Sequence, residues 1–242
     1  MPERSEQSQI RIAKYLAACG LASRRKCERF VAEGRVTVNG ETVTTPALRV
    51  SPGVDTITCN GHPVREHAPV YILLYKPPGY TCSARDPYAA HLVTELFPPH
   101  LGRLFTVGRL DRESEGLLIC TNDGDFAQAV AHPRHEVTKT YRVTVKGGVS
   151  GSALQTLRNG VEQRGEILQP REVDIIRQNR DTTELSVVLA EGKKREIRRM
   201  CAAVNLDVER LNRVAIGGVT APELKPGEWR YLTPHEQEQL QS

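Results

Sequence analysis

The residues of this chain best suited to chemistry are Arg109 and Asp111, which lie two positions apart in a short polar segment. Apolar runs at residues 104–107 and 117–120 predict a strand on each side of that segment. Strands on both sides would hold a cation and a carboxylate in fixed geometry, which suits catalysis. An ordinary hairpin with a solvated Arg and Asp has the same pattern, so these residues alone leave both interpretations open.

Charge is distributed unevenly along the chain. The 242 residues include 33 Lys and Arg against 29 Asp and Glu, and this net charge of +4 does not by itself indicate a nucleic-acid partner. Residues 1–35, however, hold eight cations and four anions, and residues 193–199 place five cations around Glu196. Such patches attract polyanions, although solvated helical faces have the same composition.

The cysteines and histidines do not predict a metal site or a disulfide framework. The six cysteines are far apart, form no Cys-x-x-Cys pair and lie partly in apolar runs, as reduced core cysteines do. His132 and His135 are separated by Pro133, so we expect them to be structural. No run reaches the roughly twenty apolar residues of a membrane helix, and residues 1–9 are too polar for a signal peptide. We therefore expect a soluble, cytoplasmic protein that does not contact a membrane.

The first part of the chain has the pattern of a small domain. Residues 1–9 are polar and are expected to form a disordered tail. Residues 10–62 begin with two helical stripes, of which the second is preceded by Ser23, a suitable N-cap, and followed by Gly34. Short alternating runs with an Asn-Gly turn at residues 39–40 predict small strands after the helices.

The second part predicts a larger α+β domain. Residues 63–69 contain two prolines and have the character of a linker. Residues 70–242 alternate strand and helix patterns in irregular order, which favours a mixed, largely antiparallel sheet. Strands are predicted at residues 70–75, 104–107, 117–120, 140–145, 185–189 and 229–232, and helices at 125–131, 152–157 and 195–204.

The string at residues 107–124 resembles the signature of pseudouridine synthases. In that family the Asp of a Gly-Arg-Leu-Asp element, here Asp111, is the catalytic carboxylate. Ser-Glu-Gly-Leu-Leu at residues 114–118 and Thr-Asn-Asp-Gly at residues 121–124 are similar to the branch that modifies ribosomal RNA. More than a dozen ordered positions agree, so the match is far more specific than a short glycine motif.

Residues 11–40 resemble the small RNA-binding domain named after ribosomal protein S4. Ala-Ser-Arg-Arg at residues 22–25 and Gly-Arg-Val-Thr-Val-Asn-Gly at residues 34–40 carry this resemblance. Without it, a generic helical cap would explain the pattern equally well. With it, we expect the basic side chains of this domain to bind RNA, namely Arg24, Arg25, Lys26 and Arg35.

The resemblance implies a reaction and several site residues. Converting uridine to pseudouridine breaks an N-glycosidic bond, turns the uracil and rejoins it through carbon, so it requires a carboxylate and no cofactor. Asp111 would either attack the anomeric carbon or remove the neighbouring ribose proton. Tyr141 would stack on the displaced uracil or relay a proton, and Ile197 would line the pocket. Arg109 would face the RNA and fill the gap left by the extruded base.

A nearby arginine is expected to keep the catalytic carboxylate ionised. Residues 191–200 resemble the family motif in which a helix carries Ile and Arg into the site, so the resemblance implies that Arg198 pairs with Asp111. Arg199 is the alternative, one position later. The cations before this helix are expected to contact RNA, namely Lys193, Lys194 and Arg195.

The leading hypothesis is an isomerase of ribosomal RNA. The Lys-Pro-Pro-Gly at residues 76–79 favours the large subunit, although small-subunit enzymes share the same plan. A non-catalytic ribosome-assembly factor and a glycosidase-like hydrolase are the other candidates. A hydrolase usually needs paired carboxylates, and the motifs supply Asp111 alone. No coiled-coil heptad indicates self-association, so we expect a monomer.

Overall fold

The structure is a computed structural model that describes residues 9–83, 86–132 and 136–241. Of the predicted disordered tail only Gln9 is described, and His135 also lies outside the described residues. The chain folds into two compact units. The first contains the described residues up to Pro69 together with His100–Leu104, and the second contains Val70–Pro99 and the described residues from Phe105 onward.

The first unit packs two helices against short strands. Its helices are α1 (Ile12–Ala18) and α2 (Arg24–Ala32). Its strands are β1 (Ile10–Arg11), β2 (Val36–Val38), β3 (Glu41–Val43), β4 (Arg49–Val50), β5 (Ile57–Cys59) and β6 (His62–Pro63). Strands β3-β2-β5-β6 form one sheet in that order, and β1 pairs with β4. The apolar faces meet in a core that includes Leu16, Cys27, Val31, Val36 and Ile57.

Local sequence signals account for the ends of these elements. The Ser23 hydroxyl accepts a hydrogen bond from the backbone N–H of Lys26 at 3.4 Å, which confirms the predicted N-cap. Asn39 and Gly40 adopt positive φ angles of 52° and 89° between β2 and β3, as a two-residue hairpin turn requires.

The limits of the first unit differ from the expected ones. Pro63 pairs with Thr58 in β6, and Val64 is buried in the first core, so the start of the predicted linker belongs to the folded unit. His100–Leu104, expected to lie within the second domain, also packs in the first unit. There the Arg103 guanidinium donates to the carbonyl oxygen of Ala22 at 3.1 Å. A contact between residues so distant in sequence leaves no local pattern that could have predicted it.

The second unit is built on a sheet of nine strands. These are β7 (Tyr71–Lys76), β8 (Phe105–Val107), β9 (Glu115–Thr121), β10 (Lys139–Lys146), β13 (Glu172–Gln178), β14 (Thr182–Leu189), β15 (Val208–Ile216), β16 (Val219–Thr220) and β17 (Trp229–Tyr231). Their order is β13-β14-β10-β15-β9-β7-β17, with β16 beside β15 and β8 beside β9. Strands β15 and β9 pair in parallel and the other pairs are antiparallel, which confirms the predicted sheet type.

The remaining elements surround this sheet. A hairpin lies outside it, formed by β11 (Val161–Gln163) and β12 (Glu166–Leu168). The helices of this unit are α3 (Gly124–Ala131), α4 (Gly151–Asn159), α5 (Glu196–Ala203) and α6 (Pro234–Gln241). One 3-10 helix spans Val93–Leu96, and a second, Pro99–Leu101, consists mostly of residues that belong to the first unit. Helices α3 and α6 cover one face, where Leu73, Ile119, Phe126, Ile216 and Leu240 form a core.

Strand β15 is the main element that the sequence patterns do not predict. Its charged residues interrupt the apolar alternation by which a strand is recognised in sequence. In the structure these charges have partners on β9: Arg210 pairs with Glu115, and Arg213 donates to the carbonyl oxygen of Leu117 at 2.6 Å. Gly116 lies where these two strands run side by side, with φ at +104°, and a Cβ atom there would overlap the Arg213 carbonyl. The glycine of the Ser-Glu-Gly-Leu-Leu string is therefore required by strand packing.

Candidate active site

A cavity of about 430 Å³ opens beside the segment that joins β8 to β9. That segment comprises residues 108–114 and carries Arg109 and Asp111; it is named the catalytic loop hereafter because Asp111 is the predicted catalytic carboxylate. The other walls come from the start of α5, from β10, β14 and β15, and from the residues after β7. Lining side chains used below are Cys82, Arg109, Asp111, Tyr141, Lys193, Lys194, Arg195 and Ile197.

A buried lysine holds the catalytic loop from below. Lys76 is fully buried, and its ammonium donates to the carbonyl oxygens of Ser114 at 2.6 Å, Pro77 at 3.0 Å and Arg112 at 3.3 Å. An ammonium has three N–H donors, so these three carbonyls satisfy it. Burial lowers the pKa of Lys76 to about 8, which leaves the side chain mostly protonated at neutral pH.

Two further hydrogen bonds complete the anchoring of this loop. The backbone N–H of Gly79 donates to the carbonyl oxygen of Arg112 at 2.7 Å, and the N–H of Leu110 donates to the Cys82 thiol at 3.5 Å. The sequence analysis used Lys76 as part of the Lys-Pro-Pro-Gly string that favours the large subunit and did not select it as a site residue. A lysine that closes an apolar run and precedes two prolines was the available signal.

Arg195 is the cation that the structure pairs with Asp111. Its Nη1 atom lies 3.7 Å from Asp111 Oδ2 and 3.3 Å from Glu113 Oε2. Arg195 is the residue immediately before α5 and adopts a left-handed conformation, with φ 52° and ψ 34°. The sequence analysis assigned Arg195 to RNA contact only, and it did not select Glu113.

The predicted pairing of Arg198 with Asp111 is corrected by this geometry. Among the described residues Arg198 forms no ion pair with Asp111, and its Nη1 atom donates to the carbonyl oxygen of Val208 at 3.2 Å. One turn of α5 directs Arg198 towards the start of β15, whereas the residue before the helix reaches over the loop. Arg198 Nε is buried and has no hydrogen-bond partner within the part of the chain that the structure describes.

Arg199, the alternative, faces away from the carboxylate. It donates to the Gln163 side chain at 2.8 Å, to the Gln163 carbonyl at 2.9 Å and to Glu166 at 2.8 Å. These bonds tie α5 to the β11–β12 hairpin. Arg199 is therefore a structural link between two elements, and the predicted alternative is wrong.

Three other predicted residues meet at the same cavity. Tyr141 on β10 and Ile197 on α5 are both buried and both line it, and Arg109 lines it from an exposed position on the loop. The Tyr141 ring and the Ile197 side chain present apolar surface to the cavity, and the Arg109 guanidinium lies at an exposed position. The structure thus brings Arg109, Asp111, Tyr141 and Ile197 together.

The segment before α5 is basic but partly committed to its own structure. The Lys193 ammonium donates to the carbonyl oxygen of Ile167 at 3.0 Å and pairs with Glu191 at 3.1 Å, whereas Lys194 is exposed. The buried Glu196 carboxylate accepts from the backbone N–H of Lys193 at 2.9 Å. Burial raises the pKa of Glu196, and that N–H opposes the rise.

In the first unit, the predicted RNA-binding residues differ in their exposure and in their contacts with other side chains. Arg25 and Lys26 are exposed on α2, and Arg24 is exposed with a 3.6 Å ion pair to Glu28. The Arg35 guanidinium lies 4.1 Å from the centre of the Phe30 ring, and its Nε donates to Asn60 at 2.9 Å. Arg35 thus stabilises its own unit in addition to any contact with RNA.

The described residues contain neither a candidate metal cluster nor a membrane-spanning helix. No group of three or more His, Cys, Asp or Glu side chains there could hold a metal ion. No helix in the described part of the chain is long and apolar enough to cross a membrane. The six cysteines are all buried as free thiols.

Known proteins are similar to this chain in both sequence and fold. A family model described as RNA pseudouridylate synthase matches residues 70–203, and a model of the S4 domain matches residues 10–55. A crystal structure of a pseudouridylate synthase has a TM-score of 0.66 at 28% identity, covering 96% of this chain and 99% of that one.

Similar proteins include two whose names state a substrate. The ribosomal large subunit pseudouridine synthase B of Bacillus subtilis is 37% identical over 96% of each chain. The ribosomal small subunit pseudouridine synthase A of Escherichia coli is 34% identical over 94% of this chain and 98% of its own. An uncharacterized RNA pseudouridine synthase of Aquifex aeolicus is 40% identical over 96% of this chain and 94% of its own. The resemblance inferred from the motifs is confirmed: this chain belongs to the RNA pseudouridylate synthase family and carries an S4 domain.

Proposed function

We propose that this chain isomerises uridine to pseudouridine in ribosomal RNA, that its target lies in the large subunit, and that it acts in the cytoplasm. The observation that carries the proposal is the position of Asp111, which shares one cavity with Tyr141, Ile197 and a paired arginine. A volume of about 430 Å³ is in the range of small-ligand pockets, and it suits one nucleotide extruded from its stack.

The chemistry needs one carboxylate and an enclosed base. The bond between N1 of uracil and C1′ of ribose breaks, the base turns, and a bond forms between C5 and C1′. C5 then loses its proton and N1 gains one, so the product is an isomer of the substrate. Asp111 would act on the ribose, by attack at C1′ or by removing the neighbouring proton. Tyr141 and Ile197 would retain the detached uracil, and Arg109 would occupy the place that the base leaves in the RNA.

The choice of ribosomal RNA rests on the relatives and on the first unit. The Bacillus subtilis and Escherichia coli relatives have names that state ribosomal subunits, and both align with nearly the whole chain. Identity is slightly higher to the large-subunit protein, which favours that subunit. In addition to the basic segment before α5, the exposed cations of α2 provide a second positive surface for a long polyanion.

The direct test is to incubate the purified full-length protein with ribosomal RNA lacking modifications. We expect pseudouridine to form without release of free uracil. Release of uracil would instead indicate a hydrolase, and binding without either product would indicate an assembly factor. Carbodiimide modification and primer extension, applied to RNA from cells with and without the protein, would locate the target uridine. If the pseudouridine that is lost without the protein lies only in small-subunit RNA, the large-subunit assignment is contradicted.

A further inference from the structure

Arg195 is shared between two carboxylates of the catalytic loop. Its guanidinium approaches Glu113 at 3.3 Å, within hydrogen-bond distance, and Asp111 at 3.7 Å. About half of the Arg195 side chain is exposed, and so is about half of Glu113, whereas Asp111 is about one-third exposed. The cation is therefore nearer to the carboxylate that has no assigned role.

The backbone around Arg195 is arranged to aim this side chain. A left-handed conformation at a residue other than glycine is unfavourable and persists where the surroundings impose it. Here the Glu196 carboxylate accepts from the N–H of Lys193, and the N–H of Glu196 donates to the carbonyl oxygen of Lys193 at 3.2 Å. The N–H of Arg199 donates to the Arg195 carbonyl at 2.9 Å and begins α5. Three local bonds thus set the direction in which Arg195 leaves the chain.

Glu113 is suited to hold this cation. Its own backbone N–H, and then the Arg195 guanidinium, lower the pKa of Glu113. The residue stays ionised at neutral pH and offers a negative partner to Arg195, which lines the cavity, and it also lies 3.9 Å from the Arg112 guanidinium. A carboxylate beside the path of a polyanion would be unfavourable for RNA binding alone, so its presence calls for a role in arranging the site.

We propose that Arg195 is a positioning residue for Asp111 and that Glu113 sets where Arg195 lies. Held by Glu113, the guanidinium orients Asp111 without covering the carboxylate oxygen that must reach the ribose. If Glu113 is neutralised, Arg195 can move fully onto Asp111 and compete with the substrate. If Arg195 is removed, Asp111 loses its orienting partner. This inference rests on the proposed isomerase function.

The test compares full-length variants by single-turnover conversion at saturating RNA, with RNA affinity and melting temperature measured in parallel. We expect Arg195→Met to slow conversion by about tenfold or more, as loss of a charged hydrogen-bond partner does. Arg195→Lys should recover part of the rate, because it restores the charge. Glu113→Gln should slow conversion a few-fold while RNA affinity stays equal or rises.

The double variant separates this proposal from a general loss of structure. If Glu113 acts through Arg195, Glu113→Gln combined with Arg195→Met should be no slower than Arg195→Met alone. Arg177→Met is the matched control, because Arg177 forms a 3.0 Å ion pair with Glu184 on the edge of the sheet, between β13 and β14. It should convert RNA at the wild-type rate.

Two results would overturn the inference. The first is that Arg195→Met and Glu113→Gln each convert RNA at the wild-type rate. The second is that the rate loss of the double variant equals the product of the two single losses, which would mean that Glu113 acts independently of Arg195. Failure of the proposed function is a different result, because the wild-type protein itself would then form no pseudouridine.

Discussion

Asp111 lies in an environment in which each neighbour has a distinct task. The loop is anchored from below by Lys76, the carboxylate is paired with Arg195, and the cavity is lined by Tyr141 and Ile197. Because reactive groups must be held within a fraction of an ångström to act together, the anchoring is as important as the carboxylate.

Asp111→Asn should abolish isomerisation while leaving folding and RNA affinity close to wild type. The amide has nearly the shape of the carboxylate but can neither attack the ribose nor take its proton. Pseudouridine formation, melting temperature and RNA affinity should be measured on the same preparation. Formation at a comparable rate by the Asn variant would remove Asp111 from the catalytic role.

Lys76→Met should destabilise the protein and slow catalysis together. The change leaves the carbonyls of Ser114 and Pro77 without this donor, whereas the Arg112 carbonyl keeps the N–H of Gly79. Each unsatisfied buried group costs on the order of 1 to 3 kcal/mol. We expect the free energy of unfolding to fall by about 3 kcal/mol, measured by urea denaturation. Lys146→Met is the control, because Lys146 is an exposed partner of Asp207 and its replacement should leave the free energy of unfolding close to the wild-type value. Equal effects in the two variants would contradict the anchoring role of Lys76.

At the scale of elements, ion pairs join parts of the fold that are distant in sequence. Arg199 links α5 to the β11–β12 hairpin, and Arg210 of β15 pairs with Glu115 of β9. Arg230 of β17 forms two bonds to Glu236 of α6, at 2.8 Å and 2.7 Å. The last pair secures the final helix to an edge of the sheet. Because one partner is a carboxylate, its contribution to stability should depend on pH.

The contribution of Glu236 to stability should disappear in acid. Arg230, and then the backbone N–H of Thr233, hold the pKa of Glu236 near 2, below the usual value of about 4.3 for glutamate. The stabilisation is therefore complete above about pH 5 and is lost as the pH falls towards 2. Glu236→Gln should lower the free energy of unfolding at pH 7 by about 1 to 2 kcal/mol after allowance for solvent screening.

Urea denaturation across that pH range is the measurement for this pair. The difference between wild type and Glu236→Gln should shrink steadily between about pH 5 and pH 2. Glu223→Gln is the control, since Glu223 also pairs with Arg230 at 3.0 Å but is more than half exposed. A difference that stays constant with pH would show that the carboxylate charge is not what stabilises the helix.

At the scale of the whole molecule, the chain combines a unit rich in exposed cations with a unit that holds the cavity. The first unit presents Arg24, Arg25 and Lys26 on α2, and the second presents the catalytic loop. If the α2 cations bind RNA as proposed, RNA affinity and the chemical step can be altered separately.

Neutralising the α2 cations by a triple substitution to Gln at Arg24, Arg25 and Lys26 should weaken RNA binding and make its salt dependence shallower. Each lost phosphate contact removes roughly 0.7 to 0.9 from the slope of log affinity against log salt. Single-turnover conversion at saturating RNA should be unchanged. The matched control replaces three exposed cations of the second unit, Arg171, Arg177 and Arg180. If both triple variants change the slope equally, total charge rather than the first unit determines binding.

The sequence by itself determined the local features of this protein. The Ser23 cap and the Asn-Gly turn at residues 39–40 depend on interactions within a few residues, so short patterns predict them. The strands on both sides of Asp111 are visible as apolar runs, although their pairing partners are not. The motif around Asp111 also identified the family, because its order of residues is specific. A charged strand such as β15 was missed, since its charges are neutralised only by partners far along the chain.

Tertiary structure alone decided which groups meet. The pairing of Asp111 with Arg195 instead of Arg198 depends on where α5 begins and on the left-handed residue before it. The burial of Lys76 beneath the loop and the packing of His100–Leu104 in the first unit likewise join segments separated by many residues. Such contacts depend on the packing of the whole fold. The types and the spacing of residues along the chain do not indicate the distances between elements.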